Sequence, residues 1–387
     1  MPRLVFCTRL LFAAFAPGAV ARAQGPEIVV DRDDVDVATS CRVRIPAGVV
    51  VADANRDGVV RVVADDVVLT FVGETLRGAP RNAAPETFEG FAVRVVGRRG
   101  VRLQGLRAAG YRAALYASRA DGLVLSDADV SDNRAQRLRS DARRCDDGAD
   151  WLAPHDNDRN EWLERYGAGA YVEDSRGVAV ENLRCRRTQN GVVFDRVDAS
   201  RVADCDASFL SGWGLALWRS SDNLVSRNAF DFCVRGYSHG VYNRGQDSAG
   251  VLLFEQCSRN RFLENSITHG GDGVFGFAGK EALGDAPPPA AAFDYRRRGC
   301  NDNVFVGNDL SYAAAHGLEL TFSFGARIEH NRFAGNAICG VWAGYSQDMV
   351  VARNAFSENG GAGYGLERGG VNVEHGAGNL YAANTFV

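Results

Sequence analysis

A short phrase, Asn-x-apolar, recurs through the second half of this 387-residue chain, and its spacing constrains the fold more than any other feature. It stands at Asn228, Asn265, Asn308, Asn331, Asn354 and Asn384, with Phe230, Ile267, Leu310, Phe333, Phe356 and Phe386 two residues on. The intervals are 37, 43, 23, 23 and 30 residues. Steps of 23 backward from Asn228 land on Cys205 and Asn182. The base period is therefore 23, and the longer intervals are that period plus inserted residues. A fixed period of this size marks a repeat architecture.

Each repeat has an internal order. A glycine precedes most of these positions by 14 or 15 residues: Gly191, Gly214, Gly250, Gly317, Gly340 and Gly370. A further asparagine precedes several of them by five: Asn223, Asn260, Asn303 and Asn379. The segments Leu215-Ala-Leu217 and Val371-Asn-Val373 alternate at period two, which is the strand pattern. No repeat leaves room for a helix of about 10 residues. At about 3.3 Å per residue, one period holds about three short strands and their turns. That is one coil of a parallel β-helix. A single coil cannot bury its apolar face, so coils stack on one continuous core. Asparagines in register can stack as a ladder, and Asn also tolerates the left-handed conformation of a sharp corner. A propeller blade needs about 40–45 residues, and the Leu-x-x-Leu-x-Leu motif of a leucine-rich horseshoe is absent.

Weaker repeats continue toward the N-terminus at Val101–Leu103, Leu123–Leu125 and Val178–Val180. Ile28–Val30, Val43–Ile45, Val59–Val62 and Val67–Phe71 read as the first coils. The sequence thus predicts an all-β, single-stranded solenoid over residues 24–387, with about 12 coils of about 23 residues. This pattern resembles the right-handed parallel β-helix superfamily. That superfamily includes pectate-lyase-like enzymes, mannuronan-epimerase-like enzymes and the periplasmic copper-maturation proteins of nitrous oxide reductase. The likeness lies in repeat and fold; since the superfamily hosts lyases, hydrolases, epimerases and non-enzymes, it implies no single reaction.

The first 23 residues read as a secretory signal peptide. Arg3 and Arg9 precede the apolar run Leu10–Ala16, and Ala21-Arg-Ala23 is a small-x-small cleavage signal. The run is short of the roughly 20 residues of a membrane span. The expectation is a secreted or periplasmic monomer with no membrane span. Removing three arginines and no acid takes the net charge from −4 to −7, which argues against a nucleic-acid partner. Eight cysteines follow Cys7, without a Cys-x-x-Cys pair, so a structural zinc site is not expected. Cys257 and Cys300 each precede an asparagine (Asn260, Asn303) by three, which suits a disulfide or a stacked thiol pair.

A solenoid displays function on loops from one face. Insertions are expected near 134–168, 235–249, 279–299 and 358–369. Aligned on the repeat glycines, with Gly273 included, the preceding residues are Asn190, Trp213, Ala249, Asp272, His316, Cys339 and Gly369. Asp272 and His316 should therefore stack on adjacent coils, about 4.8 Å apart. His269 lies three residues before Asp272, and Glu319 takes an outward position between Leu318 and Leu320. The loop from Tyr237 to Ser248 brings His239, Arg244 and Asp247 toward the same strip. His375 also falls near it.

Carboxylates beside imidazoles suit acid–base chemistry. The same residues could instead form a satisfied polar corner or a transition-metal site. Outward aromatics form a second strip: Trp218, Phe254, Phe275, Phe277, Trp342 and Tyr345, with Tyr237 and Tyr242 on the loop. Exposed rings suit stacking on sugars; alternatively, long loops cover them as a satellite core. The acidic stretch Asp146–Asp158 admits calcium or a solvated loop. Pro154-His155-Asp156 resembles a Pro-His-Asp element of mannuronan-epimerase-like enzymes, though here within an insertion.

The expected partner is a polysaccharide or oligosaccharide. The leading expectation is a polysaccharide lyase or a glycoside hydrolase. In a lyase, Arg244 or a histidine pairs with the uronate carboxylate. In a hydrolase, Asp272 and Glu319 form the carboxyl pair. The rival expectation is a non-catalytic β-helix protein that binds sugar or metal.

Overall fold

The computed structural model describes residues 25–145, 147–152, 156–237, 245–284, 286, 298–361 and 368–387. Among these residues, thirty short strands, all paired in parallel, make up almost all of the regular structure. They stack into a 13-stranded sheet and a 12-stranded sheet that run side by side along the molecule. The third side of the coil is held by single-residue bridges, from Arg107 with Asp129 through to Asp309 with Arg332. It widens near the C-terminus into the strands Arg332–Ala334, Ala355–Ser357 and Thr385–Phe386. The chain is a right-handed parallel β-helix. Its only α-helices among the described residues are two short ones, Glu161–Arg165 and Lys280–Leu283, both within insertions. None is long and apolar enough to cross a membrane.

Period-two alternation decides which side chains point inward. On the 12-stranded sheet, Leu115, Ala170, Val192, Leu215, Val251, Val274, Leu318 and Val341 succeed one another in register. All eight are fully buried. Each buried Val or Leu contributes about 1.5–3 kcal/mol from the area removed from water. A column of repeat glycines runs beside them because nothing larger fits. A Cβ built on Gly273 would lie 2.3 Å from the Gly317 carbonyl oxygen.

The asparagine phrase forms a buried ladder. The Nδ2 of Asn228 donates to Asn265 Oδ1 at 3.0 Å, Asn265 to Asn308 at 2.9 Å, and Asn308 to Asn331 at 2.9 Å. Asn331 continues to Asn354 at 3.1 Å, and Asn354 to Asn384 at 3.0 Å. Each Oδ1 also accepts the backbone N–H of the preceding rung. Donors that a coil corner would leave unmet are thereby satisfied.

The ladder does not reach Asn182. Strand Ala179–Glu181 pairs with Arg201–Ala203 at an offset of 22, so Leu183, not Asn182, lies below Cys205. Asn182 turns outward with φ of 49° and donates to Asp127 Oδ1. Cys257 and Cys300 are buried neighbouring thiols, not a disulfide. Burial and the proximity of Cys300 push the Cys257 thiol well above the usual range.

Candidate functional site

The outward face of the 12-stranded sheet carries the site. Its strands begin in register at Trp213, Ala249 and Asp272, and then at His316, Cys339 and Gly369. The register Val274 with Leu318, carried two residues back, sets Asp272 against His316. The His316 backbone N–H donates to Asp272 Oδ1 at 2.8 Å. Glu319 follows three residues along the same strand, and its Oε2 lies 3.8 Å from His316 Nε2. One donor atom from each of Asp272, His316 and Glu319 falls within 4.8 Å of the other two. Unit charges about 5 Å apart repel by about 3 kcal/mol at an effective dielectric of about 20, so the two carboxylates crowd here at a cost.

These groups open into a cavity of about 110 Å³. It is lined by Asp247, Asp272, His316 and Glu319, with Phe275 and Trp342 as apolar walls. The Trp342 ring stands 5.9 Å from the imidazole, and its indole Nε1 has no hydrogen-bond acceptor among the described residues. Asp247 reaches the rim because its backbone carbonyl accepts the Trp213 indole N–H at 2.8 Å. The lining thus combines three carboxylates, one imidazole and two aromatic faces. That set can exchange protons, hold a cation, or seat a sugar ring.

Much of the aromatic strip is covered protein core. Trp218 and Phe254 are 1% and 2% exposed. The first insertion folds its short helix over them. Trp162 sits 4.7 Å from Trp213, 5.3 Å from Trp218 and 6.3 Å from Phe254, ring to ring. Trp218 and Phe254 therefore cannot serve as an open stacking surface, because Trp162, Leu163 and Tyr166 already occupy it. Phe277 is half-buried beside Phe254 at 5.2 Å. Among the described residues of the strip, Phe275 and Trp342 alone line the cavity.

His269 stands elsewhere. It adopts φ of 56° at a coil corner and stacks between Phe232, at 4.5 Å, and Tyr312, at 4.9 Å. Phe209 extends the stack, and the guanidinium groups of Arg186 and Arg332 cap its two ends. The left-handed corner turns the imidazole away from the strand that Asp272 begins, so His269 does not line the cavity. Tyr345 stacks likewise between Phe322 and His375 on another corner, at 4.8 and 4.9 Å. Tyr237 is exposed, and its N–H donates to Ser140 Oγ. His239, Tyr242 and Arg244 lie outside the described residues, as do His155 and Pro287–Pro289.

The described acids of the first insertion do not converge. Asp150 is fully buried and accepts the Arg139 N–H, the Ser140 N–H and the Ser140 hydroxyl. Asp156 pairs with Lys280 at 2.5 Å, and Asp158 with Arg219 at 3.1 Å. The buried Arg235 donates to the Asp150 carbonyl and to Gln136 Oε1, tying the second insertion to the first.

One carboxyl group went unnoticed in the sequence. Asp195 is fully buried on the outward face, in the same row as Trp218 and Phe254. Its Oδ2 accepts from Tyr171 at 3.0 Å and from Asn157 at 2.9 Å, and its Oδ1 lies 2.7 Å from Arg196 Nη1. Burial outweighs the Arg196 charge and pushes its pKa up to about 7. Its signal was a lone acid at an outward position whose neighbours are aromatic.

Comparison with known proteins supports the fold. A family model described as the right handed beta helix region matches residues 294–386. No curated protein matches the sequence. Among solved structures, the periplasmic alginate epimerase AlgG, in a mutant form, is similar over 93% of this chain and 77% of that one, with 12% identity and a TM-score of 0.55. The A-module of the mannuronan C-5 epimerase AlgE6 of Azotobacter vinelandii is similar over 90% of this chain and 87% of that one, with 12% identity and a TM-score of 0.55. The Dettilon tailspike protein is similar over 92% of this chain and 61% of that one, with 13% identity and a TM-score of 0.50.

Proposed function

We propose that this chain is a secreted or periplasmic carbohydrate-active protein that binds an extended saccharide along its outward face and acts on it at the Asp247–Asp272–His316–Glu319 cleft. One observation carries the reading: Asp272, His316 and Glu319 converge in a cavity that Asp247 also lines, walled by Trp342 and Phe275. An indole and a phenyl ring offer apolar faces to the C–H side of a sugar ring, and the ionisable groups stand where its oxygens would lie. Fold neighbours named as alginate and mannuronan epimerases lend precedent for saccharide chemistry on this scaffold.

Glycosidic bond cleavage suits these groups. A neutral glycan meets no like charge in the cleft, whereas a polyuronate meets three carboxylates. Hydrolysis is therefore favoured over β-elimination. The test is a screen of neutral and uronate polysaccharides, read both for new reducing ends and for the ultraviolet absorbance of unsaturated ends. Reducing ends without that absorbance support hydrolysis. Unsaturated ends would replace it with elimination. Loss of neither substrate, with the fold intact, overturns the enzymatic reading.

A further inference from the structure

The three convergent groups are unusual in kind as well as in number. Asp272 and His316 each begin a strand of the same sheet, on successive coils, and Glu319 belongs to the strand that His316 begins. Their donor atoms lie within 4.8 Å of one another on backbone already fixed by ladder hydrogen bonds. A ligand that used all three would spend little ordering entropy on them. Two carboxylates gathered this closely, with Asp247 also lining the cavity, concentrate acidic groups there. A bound cation would offset that crowding.

We infer that Asp272, His316 and Glu319 hold one first-row divalent cation, of the zinc or manganese class. The donor chemistry selects the class. Calcium takes about six to eight oxygen ligands, and magnesium also favours oxygens. An imidazole with two carboxylates suits a transition metal. Three protein donors leave coordination positions open, and a cavity of about 110 Å³ has room for water there. A cation of this class lowers the pKa of bound water toward neutrality. The inference rests on the preceding section for the saccharide and refines the part the cluster plays there: the three side chains act as ligands and not as bare acid and base. Cation binding itself does not depend on that reading.

The experiment uses the full chain, stripped with a chelator and then titrated with Zn²⁺, Mn²⁺, Co²⁺ or Ca²⁺ by calorimetry, with the visible spectrum of the Co²⁺ form recorded. The expected result is one equivalent of transition metal bound, a Co²⁺ spectrum showing nitrogen ligation, and no comparable binding of Ca²⁺. His316→Ala, Glu319→Gln and Asp272→Asn should each weaken binding by at least about tenfold. His269→Phe, in the corner stack, should leave it unchanged, and circular dichroism of every variant guards against misfolding. Absence of stoichiometric binding overturns the inference, as does binding that His316→Ala leaves intact. A stripped chain that cleaves saccharide at full rate overturns it while leaving the proposed function standing. Stoichiometric binding without turnover of any saccharide supports it while removing that function.

Discussion

The backbone N–H of His316 donates to the Oδ1 of Asp272 at 2.8 Å, across the boundary between two coils. The acid thus does two things: it anchors the start of the next strand, and it lines the cavity. The two roles separate by substitution. Asp272→Ala leaves a buried N–H without its acceptor and should cost about 1–3 kcal/mol, measured by denaturant unfolding. Asp272→Asn retains an acceptor and should stay within about 1 kcal/mol of the parent while losing the chemistry of the cleft.

His269 and His316 should behave oppositely. His269→Phe keeps a ring between Phe232 and Tyr312 and should leave both stability and saccharide turnover unchanged. His316→Phe removes a nitrogen from the cluster and should reduce turnover by at least about tenfold, whether that nitrogen serves as a ligand or exchanges a proton. Equal loss in the two variants would contradict the separation of the corner stack from the cleft.

Asp195 makes stability depend on pH. Its folded pKa of about 7 lies above the ordinary carboxylate value of 3.8. The folded chain therefore holds a proton that the unfolded chain releases, and this contribution is lost as pH rises from the unfolded value through about 7. Melting temperature should fall between about pH 4 and pH 7, and Asp195→Asn should remove a pH-dependent contribution of a few kcal/mol, roughly 2–4, over that range. An unchanged slope in the variant would place the titration elsewhere.

The asparagine ladder should be costly to interrupt in its middle. Asn308 accepts the backbone N–H of Asn265 at 2.9 Å and the side-chain amide of Asn265 at 2.9 Å, and it donates to Asn331 and to the Phe262 carbonyl. Asn308→Leu strands these partners in the core and should destabilise by about 3 kcal/mol in chemical unfolding. The same change at Asn384, on the half-exposed last rung, should cost less because water can replace the lost bonds.

Trp162→Ala tests the cover on the aromatic strip. Removing a fully buried indole that touches Trp213 and Trp218 should cost about 3–5 kcal/mol. It should also raise the binding of a hydrophobic dye, as Trp218 and Phe254 become accessible. Retained stability with no new dye binding would mean that another segment shields these rings.

Much of this was readable from spacing alone. The 23-residue period gave the coil, and the glycine register brought Asp272 beside His316 and Glu319 near both, because stacking in a parallel sheet converts sequence offset into distance. The register failed where the period itself changed, at the 22-residue step that excluded Asn182. Side-chain direction at corners was harder. His269 is three residues from Asp272, yet a left-handed φ turns it into a stack that no linear pattern announces. The fate of Trp218 and Phe254 depended on an insertion more than 50 residues earlier folding back on them, a long-range contact with no periodic signature. Asp195 was hidden for the same reason, since its burial depends on that cover.

The glycine column has a consequence for how such a chain can change. Gly273 and Gly317 are 44 residues apart, yet they meet as neighbours because the intervening excess is looped out and the coil closes on the same track. Position along the track acts as an address that loop length does not alter. Lengthening or shortening the segment between Lys280 and Gly299 should therefore leave Asp272 and His316 in their seats. The site and the loop that interrupts its coils are free to vary separately.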